Sequence, residues 1–427
     1  MKPDNETVSG DAENPIQIAG DVIGDTAYSE RFVLKILLKL ANLNTLKDEI
    51  NEKSFEDDLC ILWDMTAEKD VVLFLQKHDV LKLFHFALPV IEIPRIIEII
   101  VGIIANMCCL RVVVRVLMKM ERLLHMVISY ISNNDDSLLL VQLLRLVSAC
   151  LFLANDEELS IWMDIFTSIE YSSALYFILK NSSHKDLLVT ALENFNTVCS
   201  YCNTEKFQMQ FFTYFVTPHA LDSLTIALCE ITKNHGDECV KEELERVFVI
   251  SLQIVLNLLG FDKSAEIYNG STEEALSMIN IILLYYENKL NLKEMDTDLF
   301  DIVKSTTTIV NILPVNDTCE PSKYLEPTYS MWKTINSIAK SNENGSSFED
   351  NDIEELEEFS ENIKPLLSGL ICNYIAKCSN ENLFKVLDTI GGDYDDIVRL
   401  VKDKNLRELV NNRSNSYRSR LEDTIDT

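Results

Sequence analysis

From about residue 20 to about residue 315, apolar positions recur at three- and four-residue spacing in runs of helix length, parted by brief polar breaks. This pattern predicts a succession of α-helices joined by short connections. Two runs, Ile96 to Cys109 and Leu138 to Leu153, are apolar around most of their circumference, which requires burial between layers of other helices. Four run ends look alike: GIIANMCC around Asn106, CLFLAND around Asn155, LENFNTVC around Asn196 and IVLNLLG around Asn257. Their asparagines lie 49, 41 and 61 residues apart, which fits helical-repeat proteins once Thr232 to Glu242 is read as a long inserted loop. The expected fold is all-α, an armadillo/HEAT-like right-handed helical solenoid with degenerate repeats.

The pattern also predicts segments. Residues 1–19 are polar and aperiodic and read as a disordered acidic segment; Ser29 and Glu30 then suit the start of a helix. The helical repeat domain is expected over 20–315. PVNDTCEPSKYLEPTYS holds three of the nine prolines, so 316–328 reads as a linker, and helical repeats resume over 329–412. Within them an acidic insertion is expected near 341–352, Pro365 either kinks a helix or opens one, and 413–427 reads as a polar tail. Ser346 and Ser347 each precede an acidic residue by three positions and are candidate phosphorylation sites.

Composition narrows the class. Gly is 11 and Pro 9 of 427 residues, well under the usual roughly 7% and 5%, which excludes turn-rich β architectures. The net charge of -30 repels phosphate backbones and anionic membranes and favours a protein partner with a basic segment. A large share of it lies in residues 1–30 and 341–362, however, which weakens that inference. No secretory leader or membrane span is expected, and 11 cysteines without a paired framework suit a reducing compartment, nucleus or cytosol.

Three stretches carry a resemblance. GDVIGDTAYSERFVLKIL at 20–37, LCILWDMTAEKDVVLFLQ at 59–76 and PRIIEIIVGIIANMC at 94–108 resemble the serum amyloid A-like (SAAL) family, also named for synoviocyte proliferation. The resemblance is close over roughly 20–110, continues as pattern to about 260, and does not extend to the last third. It implies an armadillo-like nuclear protein that promotes cell proliferation, with no catalytic residues or cofactor.

Candidate sites follow from the helical reading. An asparagine on the innermost helix of an armadillo repeat can donate to and accept from the backbone of an extended peptide. Asn106, Asn196 and Asn257, with Glu98 and Gln253 on the same faces, are therefore candidate partner contacts; helix caps or exposed polar positions are the alternative reading. Asn155, before Asp156 and Glu157, reads as the start of the next helix. Arg111, Arg115, Lys119 and Arg122 fall on one helical face, either a site for RNA or an acidic phosphopeptide or a solvated outer face. Cys199 and Cys202 form a lone C-x-x-C, with His184, Cys229 and Cys239 at no ligand spacing; they read as core thiols, with a zinc-dependent module as the remote alternative. Trp63 and Trp162 suit core packing or an exposed peptide platform. No nucleotide-binding, hydrolase or zinc-protease motif occurs, so neither an enzyme, a cofactor nor a metal is expected.

Overall fold

The computed structural model describes residues 21–236, 239–313, 320–342 and 350–425. The expected disordered segment 1–19, Ser346, Ser347 and most of the acidic insertion lie outside them. The described residues are all-α and form two compact units, 1–124 and 125–427.

The first unit contains α1 (Glu30–Ala41), α2 (Leu43–Glu49), α3 (Lys53–Met65), α4 (Lys69–Lys77), α5 (Val80–Ala87), α6 (Pro94–Met107) and α7 (Arg111–Met118), and ends within α8 (Glu121–Asn133). Ser29 caps α1 as expected, accepting from Phe32 N at 3.2 Å, while Asp21 accepts from Ser29 Oγ and Arg31 N. The bonds from Phe32 N and Arg31 N satisfy donors that a helix start leaves open. α1 packs on α3 and α5, and α3 packs on α6. Residues 96–105 of α6 are all buried, as a stretch apolar at every position but Glu98 requires.

The second unit runs through α9 (Ser137–Leu153), α10 (Asp156–Ser168), α11 (Tyr171–Asn181), α12 (Lys185–Cys202), α13 (Gln208–Phe215), α14 (Pro218–Asn234), α15 (Lys241–Leu259), α16 (Ser264–Ile267), α17 (Thr272–Asn291), α18 (Asp298–Ile312), α19 (Leu325–Asn342), α20 (Asp350–Lys377), α21 (Asn380–Ile390), α22 (Tyr394–Leu400) and α23 (Lys404–Ile425). It stacks as a helical solenoid of two ranks. One rank is α9, α12, α15, α18 and α20, each against the next; the other is α11, α14, α17 and α19. Members of the first rank begin 48, 56, 57 and 52 residues apart, longer than the roughly 40 to 47 residues of armadillo and HEAT repeats.

The repetition extends to the turns. α4 and α10 both end two residues before a left-handed residue that opens the following helix: Asp79 at φ 54° and Glu170 at φ 53°. Each donates its N–H three residues back, to Gln76 O and Thr167 O. The same turn thus recurs between a first and a second helix in both units.

Within the first rank, polar side chains fix neighbouring helices together. Asn194 on α12 is 1% exposed. Its Nδ2 donates to Leu144 O and Ser148 Oγ on α9, each at 3.0 Å, and its Oδ1 accepts from Tyr171 OH at 2.6 Å. Asn194→Ala strands the Tyr171 hydroxyl and should lower stability by about 2 kcal/mol in urea unfolding, whereas Tyr171→Phe combined with Asn194→Leu should recover part of it. Alkali should act here as well. Burial pushes the phenols of Tyr171, Tyr176, Tyr268 and Tyr286 above the ordinary value. Their contribution is complete below about pH 10, where unfolded tyrosine ionises, and is lost as pH rises beyond it. A joint rise of tyrosinate absorbance and loss of helical circular dichroism above that pH would show the linkage.

The structure corrects three expectations. α19 begins at Leu325, so 325–328 is helix rather than linker; Pro327 sits in the first turn, where its missing N–H costs no helical bond. Pro365 does not open a helix: it lies inside α20, which continues to Lys377. The expected polar tail from 413 is helical to Ile425, and the Arg413 guanidinium donates to Ile375 O, Ala376 O and Cys378 O at the end of α20. A cation at a helix C-terminus satisfies open carbonyls and opposes the helix dipole.

Candidate interaction surfaces

In the first unit, the candidates Glu98 and Asn106 prove to be packing residues. Glu98 is 4% exposed and pairs with Arg95 Nη1 at 2.8 Å; Arg95 Nε also lies 3.5 Å from Glu56. Hydrogen bonding to Glu98 outweighs burial and holds the Arg95 pKa above its ordinary value. Asn106 Nδ2 donates to Thr66 Oγ1 at 3.0 Å and to Trp63 O at 3.5 Å, tying α6 to α3. An apolar helix surrounded by others presents little surface to a peptide, so its polar groups are satisfied internally. Trp63 is half-buried and lies against Gly102, where an added Cβ would approach the indole ring within 2.3 Å.

The four cations expected on one helical face are divided between two helices. α7 stops at Met118, Lys119 is its C-cap, and Arg122 belongs to α8. Arg111 is half-buried, while Arg115, Lys119 and Arg122 are exposed. No ion pair to a described residue is formed by these last three. With His85 from α5 and with Glu121, Lys119 and Arg122 line a cavity of about 420 Å³. Helix periodicity alone could not reveal it, because His85 lies on another element.

In the second unit, Asn196, Gln253 and Asn257 lie on α12 and α15, neighbours in the first rank. Gln253 is exposed, and Asn196 and Asn257 are half-buried. Asn257 Nδ2 donates to Gln253 O at 2.9 Å, and its Oδ1 accepts from Asn203 Nδ2 at 3.5 Å. The side-chain oxygen of Asn196 is buried without a hydrogen-bond partner among the described residues. Two aromatic residues adjoin this set: Phe152, 66% exposed near the end of α9, meets Tyr201 of α12 edge-on with ring centroids 6.0 Å apart. Phe152, Tyr201, Asn203 and Asn257 thus form a ridge along the C-terminal ends of α9, α12 and α15. Arg246 and Glu193, 2.7 Å apart, join α15 to α12 further along the same two helices.

A cavity of about 700 Å³ lies at the opposite ends of α9 and α12, between Asp135, Glu170, Phe177 and His184. Asp136 and His184 cap those helices, accepting from Leu139 N and Leu187 N. Asn155 caps α10 through a capping box with Glu158, as its sequence context predicts. Cys199 and Cys202 are buried; burial pushes both thiols up, Cys202 to about 12, so neither is poised as a thiolate. Among the described residues no cluster of three histidine, cysteine or acidic side chains is placed to hold a metal ion. Trp162 is fully buried, and no described helix is long and apolar enough to cross a membrane.

Comparison with known proteins adds a relationship. The chain is 31% identical over 185 residues to human Protein SAAL1, covering 40% of this chain and 38% of that protein. The zebrafish protein saal1 is 30% identical over 178 residues, and that of Xenopus tropicalis 28% over 182. This chain is related to the SAAL family. It matches about 38% of the length of its human SAAL relative, and no family model matches it. The three stretches that resemble the SAAL family meet one another in the first unit. Asp25 N donates to Asp70 Oδ2 at 3.1 Å, joining the first stretch to the second, and Trp63 on Gly102 joins the second to the third. The SAAL-like residues Trp63, Thr66, Gly102 and Asn106 therefore form a helix–helix contact.

Proposed function

We propose that this chain is a non-enzymatic, armadillo-like protein-interaction scaffold that acts in the nucleus and supports cell proliferation. The location and the cellular output rest on the SAAL resemblance. The armadillo-like reading is supported by the order of a short, a middle and a long helix in α13–α14–α15, of 8, 17 and 19 residues. The observation that carries the binding role is the ridge of Phe152, Tyr201, Asn203 and Asn257. It combines exposed aromatic surface with amides that can pair with an extended backbone, the two components of peptide recognition. It also lies where three parallel helices end, and their partial negative charges favour a partner with a basic segment.

Phe152→Ala, Gln253→Ala and Asn257→Ala together should reduce recovery of the protein partner from nuclear extract by about tenfold, the loss expected for removing one modest hot spot. The helical circular dichroism should stay unchanged. Full recovery of the same partner by the triple variant would refute the ridge. The reading calls on no cofactor, metal or membrane.

A further inference from the structure

We infer that the cleft formed by His85, Lys119 and Arg122 in the first unit is a binding site for a phosphorylated peptide segment. The argument begins with charge. In a chain of net charge -30, Lys119 and Arg122 are exposed cations with no ion pair to a described residue, and they line the same cavity of about 420 Å³. Cations in an acidic protein are ordinarily drawn to neighbouring carboxylates; a pair left open in a concave site offers its charge to a ligand. Glu121 is the one acidic residue of the lining and stands in the first turn of α8.

Two further features point to an anion of phosphate size. His85, half-buried, brings an imidazole ring with hydrogen-bonding nitrogens to the same lining. Residues 121–123 of the lining form the first turn of the thirteen-residue α8. Backbone N–H groups of a first helical turn carry partial positive charge and lack intrahelical acceptors. Arginine, lysine and a helix start together supply the fork, the point charge and the dipole that a tetrahedral dianion accepts.

Peptide is favoured over RNA by the surroundings. Phe86, 61% exposed, adjoins His85 with ring centroids 5.5 Å apart and offers apolar surface to a residue beside the phosphate. A polynucleotide needs a long track of cations, whereas this cleft is short and the rest of the chain repels phosphate backbones. The cleft belongs to the first unit and the ridge to the second, so either can fail without the other.

The test uses the full chain and three fluorescent probes in anisotropy titrations: a short peptide library with a central phosphoserine and random flanks, the same library with serine, and a random RNA of equal length. The phosphoserine library should bind at least about tenfold more tightly than the serine library and the RNA. Lys119→Glu with Arg122→Glu should abolish that preference, Arg122→Gln should weaken it, and Arg115→Glu, outside the cleft, should leave it in place. Inorganic phosphate should compete only at much higher concentration than the phosphopeptide. Equal binding of the two peptide libraries, tighter binding of the RNA, or a preference that survives the double reversal with unchanged circular dichroism would overturn the proposal.

Discussion

Lys289→Met should lower the stability of the second unit by about 3 kcal/mol, measured as a shift of the urea midpoint. Lys289 Nζ lies 2.6 Å from Glu245 Oε1 and also pairs with Asp296, joining α17 to α15 and to the turn before α18. Its side chain is 9% exposed, and those of Glu245 and Asp296 are 14% and 16% exposed. Tyr285 OH also donates to Glu245 Oε1 at 2.9 Å. Burial works against the ammonium, but hydrogen bonds to Asp296 and Glu245 outweigh it and hold its pKa above the ordinary lysine value. Removing the cation leaves two largely desolvated carboxylates facing each other, which costs more than the lost attraction itself. Lys289→Met with Glu245→Gln should therefore be more stable than Lys289→Met alone, a coupling that a simple cavity would not produce.

Gly102→Val should cost the first unit about 3 kcal/mol by overpacking, and Gly102→Ala somewhat less. The Cβ of either residue would fall within 2.3 Å of the Trp63 ring, so α3 and α6 must move apart or the indole must leave its place. Both routes disturb the Asn106 bonds to Thr66 and Trp63, which depend on the same approach. The unfolding midpoint of the first unit should fall and the Trp63 emission should shift to longer wavelength. Trp63→Leu in the Gly102→Ala background should restore part of the loss by vacating the contested space.

The helices were legible because burial on one or more faces writes a period into the sequence. α9 is the exception: nearly all its positions are apolar, so that the open side at Leu138, Arg145 and Phe152 shows only in the structure. The asparagines were legible only in part. A polar residue on an apolar helix announces that something needs a hydrogen bond, without saying whether the need is inside or outside. Asn196 lies on the open side of α12, but Asn194, two residues earlier, is the one that locks three helices together. Glu98 and Asn106 looked outward by spacing and turned inward because α6 is covered on every side. Gly102 did carry a signal, since an isolated glycine in an otherwise apolar helix marks close approach. The Lys289 cluster and the His85 cleft join residues more than thirty positions apart, and local periodicity holds no record of such partners.

The proposed function turns on which surface of the second unit meets a partner. Crosslinking mass spectrometry of the native complex, isolated through the full-length chain, addresses that surface directly. The account predicts crosslinks from a basic segment of a single partner to residues at the C-terminal ends of α9, α12 and α15, around Lys206 and Asp262. Crosslinks confined to the other rank, α11, α14 and α17, or an isolated chain with no stoichiometric partner, would contradict it.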